Sequence, residues 1–343
     1  MSPAQQHHQQ TRAQQARTRQ TRTRQAAQSE QNQQSAQSEQ NPFAVARARV
    51  LGVERVSPTF VRVTLGGEAL REVGNPGRTL DQRIKLIFPP ASGELPVLAD
   101  EADWYAAWLA IPEAERGSMR TYSIRDLLVA QDGGTSLVVD FVLHLEPGAT
   151  GPASLWASRA AVDDELLVVA PRRGRLDGGG IEFEPGDAAS VLLAGDETAA
   201  PAIARILEEL PEEARGIAFI EVPVPEDRLA VDAPAGVELR WLTRGEALHG
   251  TALVPEVLAH MGERARPEIE DVETEQLLWE TPQYSGLGEE IAPVDDRHER
   301  YFWIAGESGV VTTLRRHLVR ELGIARSQVA FMGYWRRGVA MKG

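Results

Sequence analysis

Apolar and polar residues alternate with a period of two through Val45–Val50 and Thr59–Leu65, as they do on strands with one buried face. The same texture predicts strands over Ile84–Phe88, Met119–Ile124, Ser136–His144 and Glu165–Ala170, and a short helix over Trp104–Ile111 between them. Short strands broken by Gly and Pro predict an antiparallel β-barrel. Near Asp187 the pattern changes. Ser190–Gly195 reads as a fully buried strand, Thr198–Leu210 as an amphipathic helix, and Ile217–Val222 and Val237–Leu242 as further strands. A helix is expected over Ala252–Met261, a strand over Tyr301–Ala305, a helix over Val310–Leu322 and a last strand over Gln328–Met332. Strand and helix in alternation predict a parallel sheet with both faces covered. The pattern therefore divides the chain into a tail (1–41), a β-barrel domain (42–186) and an α/β domain (187–343).

Two stretches fall outside this scheme. Residues 1–41 are rich in Gln, Ser, Thr and Arg and almost lack large apolar side chains, so they are expected to stay disordered. Glu263–Arg300 is acidic and irregular, with Trp279 and Tyr284 embedded in it. It is longer than an ordinary connection, which predicts a disordered insert or a flap.

The 343 residues carry a net charge of −14, which argues against nucleic acid as a partner of the folded part. No apolar run approaches the length of a membrane span, and no charged-then-apolar leader is recognisable. Cysteine is absent, which excludes disulfides, thiolate chemistry and Cys-held iron–sulfur clusters and points to the cytoplasm. A monomer is compatible with all of this. The seven His are scattered without metal-ligand spacing apart from His7-His8 in the tail, so no metal site is expected. Neither G-x-S-x-G, nor a Walker loop, nor H-E-x-x-H occurs.

Candidate chemistry lies in five short blocks. Arg120-Thr121-Tyr122-Ser123 sets a fixed cation, a flat aromatic ring and a hydroxyl on one strand, with Arg120 and Tyr122 on the same face. Gly151-Pro152-Ala153-Ser154 opens a helix, whose unpaired N–H groups favour a pyrophosphate, and His144 stands just before it. Together they suit a flavin dinucleotide; separately each reads equally well as an ordinary strand or helix start. Gly195-Asp196-Glu197-Thr198 follows a buried strand and opens a helix, where nucleotides bind in open α/β sheets. Its acids suit the nicotinamide end or ribose better than a pyrophosphate. Glu221, at the end of the next strand, favours NADH by accepting from ribose hydroxyls, whereas Arg240 and Arg244 argue for NADPH. Gly306-Glu307 repeats the strand-to-helix pattern, and Tyr334-Trp335 with Arg336-Arg337 offers an aromatic pair to cover a flavin face and cations for an anion. Lys85, one of only two lysines, lies on a predicted strand, and by itself reads as a solvated side chain; so does the Arg316-His317 stretch.

In this order the blocks resemble the siderophore-interacting protein family, flavin-dependent ferric-siderophore reductases related to ferredoxin reductases. The resemblance runs from about Phe43 to Gly338. It implies a ferredoxin reductase-like architecture, with FAD on the β-barrel domain and NADH or NADPH on the α/β domain. Arg120, Thr121, Tyr122 and Ser123 look like the family's flavin-binding motif, with Tyr122 and Ser123 at the reactive ring. Gly151, Pro152, Ala153 and Ser154 look like its pyrophosphate site, with His144 beside it. Gly195, Asp196, Glu197, Thr198, Gly306, Glu307, Tyr334 and Trp335 complete the implied cofactor contacts, and Lys85, Arg336 and Arg337 the implied cations for an anionic ferric siderophore. The implied chemistry is coherent. Hard oxygen ligands of catecholate or hydroxamate type hold ferric iron better than ferrous, and flavin converts a hydride into single electrons. A flavin reductase serving a protein carrier, and a siderophore-binding module without turnover, are the two other readings.

Overall fold

The alternating segments pair as their pattern demands. The computed structural model describes residues 41–98, 103–145, 150–264, 267–270, 277–282, 284–285 and 299–339. Most of the Gln-rich tail, much of the acidic stretch 263–300, and Lys342 lie outside the described residues. Strands β1 (Phe43–Arg55), β2 (Phe60–Gly66), β3 (Arg83–Phe88), β4 (Ser118–Ser123), β5 (Asp126–Val129), β6 (Thr135–Val142) and β7 (Glu165–Pro171) form one antiparallel sheet. Its order is β4-β3-β7-β1-β2-β6-β5, a half-barrel open between β4 and β5. The inward residues Val50, Val63, Leu65, Leu86, Leu137, Val139, Phe141, Leu166 and Val168 make its core. Helix α1 (Trp104–Ala110) covers the outer face of β3, β4 and β7 through Trp104 and Trp108, and α2 (Pro152–Ala157) packs on β3, β4 and β6.

The second sheet has the order β10-β9-β8-β13-β14-β11-β12. Strands β8 (Ser190–Gly195), β9 (Gly216–Val222), β10 (Val237–Thr243), β13 (Arg300–Glu307) and β14 (Val329–Trp335) are parallel. Helix α3 (Ala200–Glu209) packs on one face, and α4 (Leu253–His260) and α5 (Ser308–Arg315) on the other. The chain winds outward from β8 through β9 to β10 and then restarts on the other side at β13. The carboxyl ends of β8 and β13 therefore form a topological switch point, where open α/β sheets bind ligands.

Three expectations change. The described part of the acidic stretch is no loose insert: β11 (Trp279–Thr281) and β12 (Tyr284–Ser285) form an antiparallel hairpin on β14, because Trp279 stacks on Tyr334. The predicted helix after β13 keeps its α form only to Arg315 and continues as a π-turn over Arg316–Glu321. Within that turn His317 is buried rather than solvated, and Arg316 pairs with Glu270.

The two sheets share a core. Phe60 and Val142 of the half-barrel pack with Ile203, Leu207, Tyr301 and Trp303. Polar stitches surround this contact. Asp227 accepts from Ser57 Oγ at 2.6 Å and Thr59 Oγ1 at 2.8 Å. Arg125 holds Glu208 with two bonds of 2.6 Å, and Glu209 accepts from the Thr79 and Leu80 N–H groups.

Asp81 pays for its burial in this contact. Its fully buried carboxylate accepts from Trp303 Nε1 at 2.9 Å and from the N–H groups of Glu182 and Phe183. Burial pushes its pKa up to about 6 against those donors. The folded value lies above the ordinary 3.8, so the native state holds this proton longer than the unfolded chain does. The associated stability is full below about pH 4 and is lost as pH rises through 6. The expected loss is about 3 kcal/mol relative to Asp81→Asn, read from urea unfolding of both proteins at pH 4, 5, 6 and 7.

Candidate functional site

The edge formed by the carboxyl ends of β8, β9, β10, β13 and β14 gathers most of the predicted residues. Asp196 follows β8 and is 2% exposed. Its Oδ1 accepts from the N–H and Oγ1 of Thr198, and its Oδ2 from the Glu307 N–H at 2.7 Å and Trp335 Nε1 at 3.0 Å. With four internal donors its side chain braces β8, β13 and β14 together and is not free to meet a nicotinamide ribose. Glu307 likewise turns inward: it caps α5 by accepting from the Val310 N–H and also accepts from the Arg337 N–H. Gly306 sits between them with φ +140°, and a Cβ there would lie 2.6 Å from Asp196 Oδ2. Gly306→Ala should therefore cost about 2–3 kcal/mol in chemical denaturation, through strained backbone and a displaced brace.

Glu197 is fully buried and ties the two sheets together. Arg244, just after β10, holds it by two bonds of 2.6 and 2.7 Å. His144, two residues beyond β6, lies 3.2 Å from Glu197 Oε1, and His249 lies 2.9 Å from the same atom. Burial pushes the Glu197 carboxyl up, but these three partners outweigh it and hold it well below the usual range. Burial alone would lower His249; the bond and charge of Glu197 leave it raised. The Trp335 ring sits 5.3 Å from His144 and 4.7 Å from His249. Arg244 is thus committed to Glu197 rather than to a 2′-phosphate, and Arg240 pairs with Glu238. Glu221 does not face a ribose. It is buried and accepts from the N–H groups of Gly250, Ala252 and Leu253 at the start of α4.

Tyr334 and Trp335 do not form one aromatic wall. Tyr334 stacks on Trp279 and meets Trp303 edge-on, with its hydroxyl buried and unpartnered, while Trp335 turns to the histidines. Arg336 and Arg337 follow, Arg337 exposed.

The flavin motif lies on β4 and its neighbours. Arg120 and Tyr122 share a face, as period two requires. Tyr122 packs 4.6 Å from Phe141 on the half-barrel core. Among the described residues the Arg120 guanidinium reaches only the carbonyl of Met119, at 2.7 Å. Thr121 points the other way and accepts from Lys85 Nζ at 2.7 Å. Burial lowers the pKa of both Arg120 and Lys85, and neither has an acidic partner among the described residues. Ser123 is half-buried at the end of β4. Ser154 Oγ donates to the Val142 carbonyl at 3.0 Å, which anchors α2 to β6 and leaves the backbone of its first turn, not its hydroxyl, for a ligand. Ala153 is buried beneath that turn. Pro152 occupies its first positions, and Gly151 caps it with φ −70° and ψ 159°, which any residue adopts. Nothing lies within 4 Å of where its side chain would be, so glycine here keeps backbone accessible rather than permitting a turn.

These features fit a dinucleotide with a charged pyrophosphate: an uncompensated guanidinium, an open glycine-led helix start and a flat ring on one side of the half-barrel. Sequence spacing missed His249 and Asp81, and read Arg244 as a cation for a 2′-phosphate rather than as the partner of Glu197. His249 lies on the loop after a predicted strand, and loops at one end of a parallel sheet converge; that is the signal it carried.

Known proteins resemble this chain along both of its sheets. The profile described as "Siderophore-interacting FAD-binding domain" matches residues 49–175, and that described as "Siderophore-interacting protein" matches residues 188–338. A Mycobacterium tuberculosis protein is 36% identical over 299 residues, 84% of this chain and 89% of its own. The ferric vibriobactin reductase ViuB of Vibrio cholerae is 31% identical over 287 residues, 82% of this chain and 86% of its own. A crystal structure of a siderophore utilization protein from T. fusca superposes with a TM-score of 0.61 at 28% identity, covering 89% of this chain and 97% of that one. A ferredoxin NADP+ reductase from Neisseria gonorrhoeae shares the fold alone, with a TM-score of 0.51 at 16% identity over 85% of this chain and 99% of that one.

Proposed function

Because the chain belongs to the siderophore-interacting protein family, we propose that it reduces the iron of ferric siderophores, using FAD and either NADH or NADPH. The observation that carries this reading is the pair of half-buried cations without acids, Arg120 and Lys85, on adjacent strands. Each bears a desolvation cost that an arriving anion would offset. They lie on opposite faces of β3–β4, so they would serve different anions.

FAD, when bound, supplies the conversion of a hydride into two single-electron transfers. Arg120 binds its pyrophosphate together with the backbone N–H groups of the Gly151–Ser154 turn. Tyr122 gives the ring system a flat apolar neighbour, and Ser123 offers a polar contact at the reactive end. The edge at Gly195–Thr198 positions the nicotinamide dinucleotide mainly through backbone, because Asp196 and Glu307 are committed internally. His144 and Trp335 border that edge. Lys85, Arg336 and Arg337 attract the anionic ferric complex to a protein that is acidic overall. Iron keeps its catecholate or hydroxamate oxygens until reduction weakens them.

No helix of the described residues is long and apolar enough to cross a membrane. We place the reaction in the cytoplasm, where reduced dinucleotides are available, and assign it to a monomer. Anaerobic absorbance spectroscopy tests the scheme: NADH or NADPH should bleach the bound flavin, and a ferric catecholate or hydroxamate should restore it while a ferrous chelator develops colour. Flavin reoxidised by a carrier protein but by no ferric chelate would select the carrier-reductase reading. Ferric siderophore bound without any flavin would select the binding module.

A further inference from the structure

His144, Glu197 and His249 come from three separate loops, yet one ligand atom of each lies within 4.8 Å of the others. The neighbourhood is short of positive charge. Asp196, Glu197 and Glu221 are 2%, 0% and 0% exposed; the guanidinium of Arg244 pairs closely with Glu197 and lies 3.9 Å from Glu221. Hydrogen bonds satisfy the oxygens of Asp196 and Glu221 without cancelling their charge, and buried charges are ordinarily paired or coordinated to metal. The two imidazoles are the accessible members, with side chains 38% and 18% exposed, so the cluster opens to solvent through its nitrogen donors.

We propose that His144 Nε2, His249 Nε2 and Glu197 Oε1 form a binding site for a divalent first-row metal ion, occupied in the working enzyme by ferrous iron on its way from the siderophore. Two imidazoles and one carboxylate are the donor set that open ferrous sites use. The separations of 3.2 and 2.9 Å from Oε1 to the two nitrogens are those of neighbouring ligands around one ion at bond lengths of ~2.1 Å, and the two imidazoles, with ligand atoms within 4.8 Å of each other, need only small ring rotations to share it. Binding requires that each neutral ring turn its Nε2 lone pair inward and carry its proton on Nδ1, and that the Arg244 bond to Oε1 yield to the ion. Arg244 donates to both Glu197 oxygens; on binding, it releases Oε1 to the ion and stays on Oε2 as an outer-sphere partner that orients the carboxylate. Trp335, against both rings, fixes their planes. The site itself is independent of the reductase reading; the identity of its occupant rests on that reading.

Titration of the purified protein with Co2+, followed by calorimetry and by visible ligand-field bands, tests the site without flavin turnover or siderophore. One Co2+ per chain is expected, with affinity reduced at least about tenfold in His249→Ala. His144→Gln, at the exposed edge, provides the same comparison if thermal melting shows that His249→Ala does not fold. Absence of Co2+ binding by the parent protein, or equal binding by the folded variants, overturns the site. Anaerobic Fe2+ should displace the Co2+; failure to do so overturns the ferrous assignment. Displacement together with a negative reductase assay would uphold the site and reject the proposed activity.

Discussion

Arg120→Ala is expected to yield a folded, colourless protein. The guanidinium is half-buried, and its hydrogen bond within the protein goes to the carbonyl of its own neighbour, Met119. Removing it also removes a desolvation cost, so the unfolding free energy should change by no more than about 1 kcal/mol. FAD loses its charge-assisted contacts to the pyrophosphate. Two such bonds are worth about 3 kcal/mol, or ~100-fold in affinity, enough for the flavin to be lost during purification. Arg120→Lys keeps the charge without the planar fork and should fall between. The measurement is the flavin-to-protein absorbance ratio, followed by FAD titration of the stripped protein. A yellow Arg120→Ala protein with unchanged FAD affinity would remove Arg120 from the pyrophosphate site.

Glu197→Ala should destabilise by about 3–5 kcal/mol, because it leaves Arg244 buried with only the more distant Glu221, 3.9 Å away, to offset its charge. Here the loss is structural. His144 also loses its bond across the two sheets, so the thermal midpoint should fall by several degrees in differential scanning fluorimetry. The paired change Glu197→Leu with Arg244→Met removes both charges and keeps volume. It should recover much of the loss, since the penalty comes from one isolated charge rather than from a missing attraction. If the double variant were as unstable as Glu197→Ala, the Arg244 charge would not be the cause.

Period-two alternation made β1, β2 and β6 legible, and the apolar run at Val191–Leu193 marked a strand covered on both faces. The half-barrel followed by a parallel sheet could therefore be read directly. The Arg120–Ser123 block was equally plain as a strand with Arg120 and Tyr122 on one face. The switch-point edge was harder. Asp196, Glu221 and Glu307 stand where nucleotide-binding acids stand, but the sequence does not reveal whether a carboxylate faces out or caps the next helix. All three face inward. The meeting of His144, Glu197 and His249 was invisible because it depends on strand order: β10 reaches Glu197 only across β9, and β6 only across the packed sheets. Trp279 was misread for a related reason. Its strand is three residues long, and only pairing with β12 and β14 makes it a strand.

The stitches at Asp227, Arg125–Glu208, Glu209 and Asp81, with Phe60 and Val142 sunk among the residues of the second sheet, make residues 43–343 a single compact unit. The two profile-matched segments are therefore not interchangeable modules. A gene cut near Asp187 would hand each fragment a raw apolar wound and unanswered carboxylates, and calorimetry of the intact chain should register one endotherm. Both halves of an electron-transfer site would then be held by one folded body rather than by two that dock after folding.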